Sequence, residues 1–125
     1  MRITRIWSDA EGTSHFDDAE VELASVDDAP PAPPLDLSAP LPAERAILFE
    51  FPAGWFGDWH PSPYRQLYFN LGGWLEVEVG DGEVRRFGPG EVALLEDLSG
   101  TGHVTRVIGE ERSRGVFIQL SANER

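Results

Sequence analysis

The sequence predicts an all-β domain, either a barrel or a jelly-roll sandwich of short strands. Apolar and polar residues alternate through most of the chain after residue 46, and alternation at period two is typical of strands. Turns rich in glycine and proline separate these segments at intervals of about 8–12 residues. No segment keeps a helical period over two turns. At 125 residues, the chain is long enough for one domain with its own core.

The first 45 residues are predicted to form an N-terminal extension of that domain. Alternating segments at 2–7 and 19–23 indicate strands that would lie at an edge. The prolines between residues 30 and 42 exclude a helix or a central strand there, because proline lacks the backbone donor and fixes φ. We expect this stretch to cross the surface as extended chain. Residues 1–45 and 46–125 would then belong to one structural domain.

The rest of the chain, from residue 46, is predicted to form the barrel. Glycine-containing turns at 80–82 and 88–90 are typical of connections between paired strands. The predicted strands span residues 47–51, 66–71, 74–79, 83–87, 91–95, 103–108 and 115–120.

The composition excludes several kinds of chemistry and partner. Without cysteine the chain has no disulfide or thiolate zinc site, and without lysine it has no Schiff-base nucleophile. A net charge of −12 repels phosphate and anionic lipid, so neither nucleic acid nor a membrane is expected as a partner. The chain has no apolar run of ~20 residues and no apolar leader before Asp9. We therefore expect a cytoplasmic protein.

Two histidines are the leading candidates for chemistry. Convergence of His60, Gln66 and His103 inside a small barrel would make either a metal site or a buried polar pocket. Alternate residues of a strand share a face, so a polar set around Gln66 is expected to line the interior. The residues predicted to share this face are His60, Ser62, Gln66, Tyr68 and Asn70.

The spacing of these residues resembles the two motifs of the cupin superfamily, over residues 46–120. The first motif runs Gly, five residues, His, one residue, His, three or four residues, Glu, six residues, Gly. Its positions are filled here by Gly54, His60, Ser62, Gln66 and Gly73. The second runs Gly, five residues, Pro-x-Gly, two residues, His, three residues, Asn. Its positions are filled here by Gly90, Glu96, Gly100, His103 and Val107, with a longer turn before the second glycine.

This resemblance implies a double-stranded β-helix, the cupin jelly-roll barrel, with an N-terminal strand extension. It also implies a small-molecule ligand in the barrel pocket, in an enzyme such as a dioxygenase, isomerase or lyase that acts on a small organic substrate. The alternative is a metal-free ligand-binding cupin without catalytic activity. Because small cupins are frequently dimers, the resemblance further implies a homodimer.

Two chemistries remain open for the site. In one, His60, Gln66 and His103 would hold a divalent transition metal such as zinc, iron, nickel or manganese, which would act as a Lewis acid. In the other, His60 and His103 would serve as general acid and base without a metal, with Tyr68 as a proton donor. The residues expected to contact a ligand are Ser62, Asn70, Trp59 and Trp74.

Two further polar residues are assigned structural roles. His15 is expected in a surface turn rather than in the site, as loop histidines usually are. Arg65 is expected to face away from the cavity and to form a surface or interface ion pair, because it alternates with Gln66.

Overall fold

The computed structural model describes residues 1–121, which form strands joined by turns and loops and contain no helix. Accordingly, these residues include no helix of the length and hydrophobicity that a bilayer span requires. The strands are β1 (Arg2–Ser8), β2 (Ser14–Glu20), β3 (Ala24–Val26), β4 (Leu35–Leu37), β5 (Ala43–Phe51), β6 (Phe56–His60), β7 (Gln66–Gly72), β8 (Trp74–Val79), β9 (Val84–Phe87), β10 (Val92–Glu96), β11 (His103–Ile108) and β12 (Ser113–Leu120). The all-β prediction is confirmed.

The strands form two main sheets and one small hairpin. The larger sheet has six strands in the order β2-β1-β10-β7-β12-β5, and the smaller has four in the order β6-β11-β8-β9. β3 and β4 pair with each other as a separate two-stranded sheet. Within the six-stranded sheet β1 and β10 run parallel, whereas the other neighbours are antiparallel. The architecture is a jelly-roll sandwich with a core between the two main sheets.

Alternation along the strands decides which residues enter that core. On β7, Gln66, Tyr68 and Asn70 are buried, whereas the residues between them are half-buried or exposed. The hydrophobic cluster takes residues from both sheets, since Ile6 and Ala93 come from the larger one and Leu75 from the smaller one. The interior face predicted for β7 is therefore confirmed, and it is the face that positions the site.

The N-terminal region departs from its prediction in two places. β1 is paired on both sides, with β2 and with β10, so it is not an edge strand. The predicted strand at 19–23 is wrong, because β2 starts earlier and ends at Glu20. β2 begins at Ser14 because it pairs with β1 from that residue onward. The partner strand sets this register, and the local sequence pattern does not. Another short strand, β4, follows the first four prolines.

The residues around the two prolines at 61 and 63 do not form one strand with Gln66. β6 ends at His60 and β7 starts at Gln66, and the two strands belong to different sheets. Proline cannot donate to a strand ladder, which explains the break. His60 therefore reaches the interior from the four-stranded sheet and Gln66 from the six-stranded sheet.

Candidate functional site

A cavity of about 380 Å³ lies between the two main sheets. Most of its wall is apolar, and one region of the wall is polar. The principal apolar residues are Phe51, Trp55, Leu75, Val77, Phe87 and Phe117. The polar residues are His60, Ser62, Gln66, His103, Thr105 and Gln119. A mainly apolar cavity with a few convergent polar groups is typical of small-molecule sites, and this volume lies at the small end of their range.

The two histidines face each other across a pair of strands. His60 on β6 is the register partner of His103 on β11, and their ring centroids lie 5.2 Å apart. Gly102, with φ of +73°, passes directly against the backbone carbonyl of His60. A side chain at position 102 would overlap that carbonyl, so glycine is required for the close approach. The spacing of Gly100, Gly102 and His103 thereby places the second imidazole beside the first.

His103 is held by a carboxylate that is completely buried. Its Nδ1 lies 2.5 Å from Oδ2 of Asp97, whose exposed fraction is 0%. A carboxylate only accepts, so Nδ1 carries the proton and, in the neutral ring, Nε2 presents a lone pair. The other oxygen of Asp97, Oδ1, has no hydrogen-bond partner. Asp97 therefore fixes the tautomer and the orientation of the His103 ring.

His60 is oriented in the same sense by the backbone. Its Nδ1 lies 2.7 Å from the carbonyl oxygen of Asp58, which can only accept. Nδ1 is therefore the donor, and Nε2 of a neutral His60 also presents a lone pair. Unlike His103, His60 is largely exposed. It lines the cavity where the cavity opens, whereas His103 lies inside.

Carboxamides and hydroxyls complete the polar region. Gln66 Nε2 donates to Ser62 Oγ at 3.3 Å, and the Ser62 hydroxyl donates to the carbonyl of Tyr64 at 2.7 Å. Gln119 of β12 is the register partner of Gln66, is only 6% exposed, and its Oε1 has no hydrogen-bond partner. Thr105 lies two residues beyond His103 and is also buried.

Comparisons with solved structures show which fold this chain adopts. The Cnp3 cupin domain of Schizosaccharomyces pombe matches 97% of this chain and 83% of its own length, at 17% identity and a TM-score of 0.52. The fold is that of a cupin. No protein-family model matches the chain, and no curated protein matches it.

Two other solved structures align with part of the cupin fold. A conserved protein of unknown function from Streptococcus pyogenes aligns at 21% identity and a TM-score of 0.47, over 62% of this chain. A protein from Neisseria meningitidis aligns at 23% identity and a TM-score of 0.45, over 61% of this chain. This chain spans about 65% of the length of the first and 72% of the second.

The cupin cavity brings together most of the side chains that the sequence singled out. His60, Ser62, Gln66, Tyr68 and His103 all line it. Tyr68 contributes its ring, but its hydroxyl is sealed from the surroundings and has no hydrogen-bond partner. Burial raises the pKa of this phenol, against an opposing effect of the nearby Ser113 hydroxyl. Its predicted role as a proton donor therefore has little geometric support.

Three of the residues predicted to contact a ligand, Asn70, Trp59 and Trp74, do not line the cavity. Asn70 is buried, but its amide binds the backbone carbonyls of Gly73 and Phe87 and its Oδ1 accepts from Gly72 N. Hydrogen-bonding capacity that is spent on the backbone is not free for a ligand. Trp59 and Trp74 are 43% and 50% exposed and are absent from the cavity wall, because they occupy outward positions on their strands.

Asp97, Gln119 and Thr105 belong to the site although the sequence analysis did not select them. Asp97 lies in the turn between β10 and β11, six residues before His103. The sequence gives one signal for it, since an acidic residue in a turn that leads to a candidate histidine can fold back onto the imidazole. Gln119 gives no local signal, because only its register with Gln66 brings it to the cavity.

Glu96, where the cupin motif has proline, anchors two arginines. It accepts from Arg5 Nε at 2.5 Å and from Arg65 Nε at 2.6 Å. Partial burial raises the pKa of this carboxyl, but the two guanidinium groups outweigh burial and hold the pKa below its usual range. The ion pair predicted for Arg65 is confirmed.

His15 lies outside the cavity, as predicted, on β2 rather than in a turn. Its ring nitrogens are each 2.8 Å from a carboxylate, Nε2 from Asp9 and Nδ1 from Asp81. It therefore links the β1–β2 turn to the β8–β9 turn.

The cupin fold commonly implies a bound metal. Within residues 1–121, no group of three or more His, Cys, Asp or Glu side chains is arranged to hold a metal ion. The available donors are Nε2 of His60, Nε2 of His103 and the amide oxygen of Gln66. Both imidazoles have Nδ1 held by an acceptor, which is how metal-bound histidines are usually oriented. Two imidazole nitrogens and one neutral oxygen are donor types that divalent transition metals accept.

Proposed function

We propose that this chain is a small-molecule-binding cupin, and that it is an enzyme which uses His103 as a general base on a small organic substrate in the cavity. The observation that supports this proposal is the Asp97–His103 pair, in which a fully buried carboxylate holds Nδ1 of an imidazole that lines the cavity. A buried carboxylate that serves only to orient a histidine is a familiar arrangement for acid–base catalysis.

The chemistry follows from the tautomer that Asp97 imposes. Nε2 of His103 takes a proton from an O–H or an activated C–H of the bound molecule, and the imidazolium that forms is stabilised by the adjacent carboxylate. His60, whose ring lies 5.2 Å from that of His103, starts as the imidazolium, gives its Nε2 proton to a different atom of the same molecule, and regains a proton from solvent, to which it is exposed. Removal at one atom and addition at another is the proton balance of an isomerase, and removal followed by loss of a leaving group is that of a lyase.

The apolar wall supports this role for His103. Trp55, Phe87 and Phe117 line the cavity next to the polar region, and they keep the bound molecule in surroundings of low polarity. Electrostatic interactions are stronger there than in water. The Asp97 carboxylate therefore stabilises a protonated His103 more than an exposed carboxylate would.

The proposal is tested with wild-type protein, Asp97→Asn, His103→Asn and a matched surface change, Asp36→Asn. A library of small organic molecules is screened for thermal stabilisation, which a ligand of the folded state must produce, and hits are then followed for conversion. We expect conversion by wild-type protein and Asp36→Asn, and a loss of about 10²-fold or more in Asp97→Asn. Equal conversion by Asp97→Asn would remove His103 as the base.

The alternative is a cupin that binds its ligand without converting it. The same screen separates the two proposals, because a binder keeps its stabilising ligand intact through long incubation whereas turnover consumes it. Binding that is lost in His103→Asn while the ligand stays chemically unchanged would favour the non-catalytic form.

A metal-dependent form of the enzyme has one specific observation in its favour, the two oriented Nε2 atoms. His60, His103 and Gln66 would hold a zinc, iron, nickel or manganese ion, and the ion would supply Lewis-acid polarisation of a substrate oxygen. Elemental analysis of protein purified without a histidine tag tests this form. Near-stoichiometric metal in wild-type protein and its loss in His60→Ala would support it, and no uptake after incubation with each of the four ions would overturn it.

A further inference from the structure

The two imidazoles in the polar region present hydrogen-bond acceptors to the cavity. His103 and His60 both have Nδ1–H committed to protein oxygens, so each neutral ring turns a lone pair at Nε2 toward whatever fills the site. The amide nitrogen of Gln66 is likewise committed, to Ser62 Oγ, which leaves its oxygen without a protein partner. Acceptors of this kind are satisfied only by a donor or a cation.

No cationic side chain accompanies these acceptors. All ten Lys and Arg positions of the chain are arginines, and none of the nine arginines within residues 1–121 lines the cavity. The buried carboxylate of Asp97 lies behind His103. The protein as a whole carries a net charge of −12. A carboxylate or phosphate would therefore meet lone pairs and a like charge, without a guanidinium to pair with.

From these observations we infer that the ligand is an uncharged, mainly apolar small molecule that carries an O–H or N–H donor at one end. Its apolar body packs against the aromatic and aliphatic wall, and its donor lies between Nε2 of His103 and Nε2 of His60. This inference rests on the proposed function of the cavity and adds the chemical class of the ligand to it. The site disfavours anions because no arginine within residues 1–121 lines it and the carboxylate of Asp97 lies behind His103.

Three probes of similar length and different head group test the inference at pH 8. Octanol has a hydroxyl donor, methoxyheptane has an oxygen that only accepts, and octanoate is an anion. Affinities are measured by isothermal titration calorimetry. We expect octanol to bind about tenfold tighter than methoxyheptane, and octanoate to bind more weakly than either.

His60→Asn is the matched variant, since His60 is exposed and its replacement leaves the Asp97–His103 pair intact. We expect the preference for octanol over methoxyheptane to shrink in His60→Asn, with little change in the affinity for methoxyheptane. Equal binding of octanol and methoxyheptane by the wild-type protein, or tightest binding of octanoate, would overturn the ligand class while leaving the cavity as a binding site. Failure of all three probes to bind would overturn the proposed function itself.

Discussion

The hydroxyl of Ser14 donates a 2.7 Å hydrogen bond to the backbone carbonyl of Gly102, the residue that precedes His103. The same oxygen accepts from the backbone N–H of Gly80 at 2.7 Å, and Ser14 is completely buried. One side chain thus ties the N-terminal hairpin to the strand that carries the proposed base. Residues 1–20 are in this sense part of the site, although none of their polar groups lines the cavity.

Replacement of Ser14 by alanine should destabilise the protein by about 1–3 kcal/mol, because it leaves the buried carbonyl of Gly102 and the part-buried N–H of Gly80 without this partner. The free energy of unfolding in urea measures this change. Ser38→Ala is the matched control, since Ser38 bonds only to the adjacent residue on an exposed segment, and it should change stability by less than about 0.5 kcal/mol. Similar losses in the two variants would contradict the role given to Ser14.

Replacement of Glu96 by glutamine should cost about 1–3 kcal/mol, since it leaves two partly buried arginines without their carboxylate. Nη1 of Arg65 is already buried without a hydrogen-bond partner. Loss of the bond from Arg65 Nε to Glu96 would leave a second N–H group of the same guanidinium without a partner. The folded-state pKa of Glu96 lies below its ordinary value of 4.5. The stability that it contributes is therefore complete above pH 4.5 and is lost as the pH falls through the lowered pKa.

Urea unfolding as a function of pH measures the contribution of Glu96. The difference between wild-type protein and Glu96→Gln should be constant near neutral pH and should shrink in acid. Glu50→Gln is the control, because the contact of Glu50 with Arg112 is long, at 3.6 Å, and both side chains are exposed. A difference that grows in acid would refute the assigned sign.

Strand prediction succeeded for residues 74–79 and 103–108, which match β8 and β11 residue for residue. In β8 the alternation reports directly which side faces the core. The first three residues of β11 are all buried, and its bounds follow from its pairing with β8 along the whole strand. The segment at 19–23 alternates too, yet only its first two residues lie in β2. In that region the partner strand β1 sets the ends of the pairing, and a local pattern contains no information about a partner.

The site was predictable as a pair of histidines but not as a hydrogen-bonded unit. The spacing of the glycines located His60 and His103. The close approach of Gly102 to the backbone carbonyl of His60 requires a glycine, and that glycine is visible in the sequence. The sequence analysis did not select Asp97, because the burial of this residue depends on the conformation of the turn between β10 and β11. The error on Asn70 has the opposite cause: strand alternation correctly placed it inside, but its amide is used by three backbone groups.

His15 should make the stability of the protein depend on pH. The two carboxylates at its ring nitrogens raise its pKa above 6.5, and hydrogen bonds from His15 and the backbone lower the pKa values of Asp9 and Asp81 below 3.8. A raised histidine pKa stabilises the fold fully below the unfolded value of 6.5, and this stability is lost as the pH rises through the folded pKa. Lowered carboxyl pKa values stabilise it above 3.8, and that stability is lost in acid.

The stabilisation by His15 should therefore be greatest between about pH 4 and 6.5. Chemical unfolding of wild-type protein and His15→Gln at a series of pH values isolates it, because ionisation elsewhere is common to both proteins. The difference should decline above pH 6.5 and also below pH 4. A difference that does not vary across this range would show that His15 is not charged when it binds Asp9 and Asp81.

Removal of the Tyr68 hydroxyl should leave both stability and activity nearly unchanged. The oxygen is buried near the Ser113 hydroxyl, but neither oxygen has a hydrogen-bond partner of good geometry, and a buried polar group in that state costs free energy. Tyr68→Phe should therefore be as stable as wild-type protein or more stable by up to about 1 kcal/mol. Since the hydroxyl is sealed from the cavity, conversion of a substrate should fall by no more than about threefold, far less than the loss of a general acid. A loss of about 10²-fold with unchanged stability would restore Tyr68 as the proton donor that the sequence predicted.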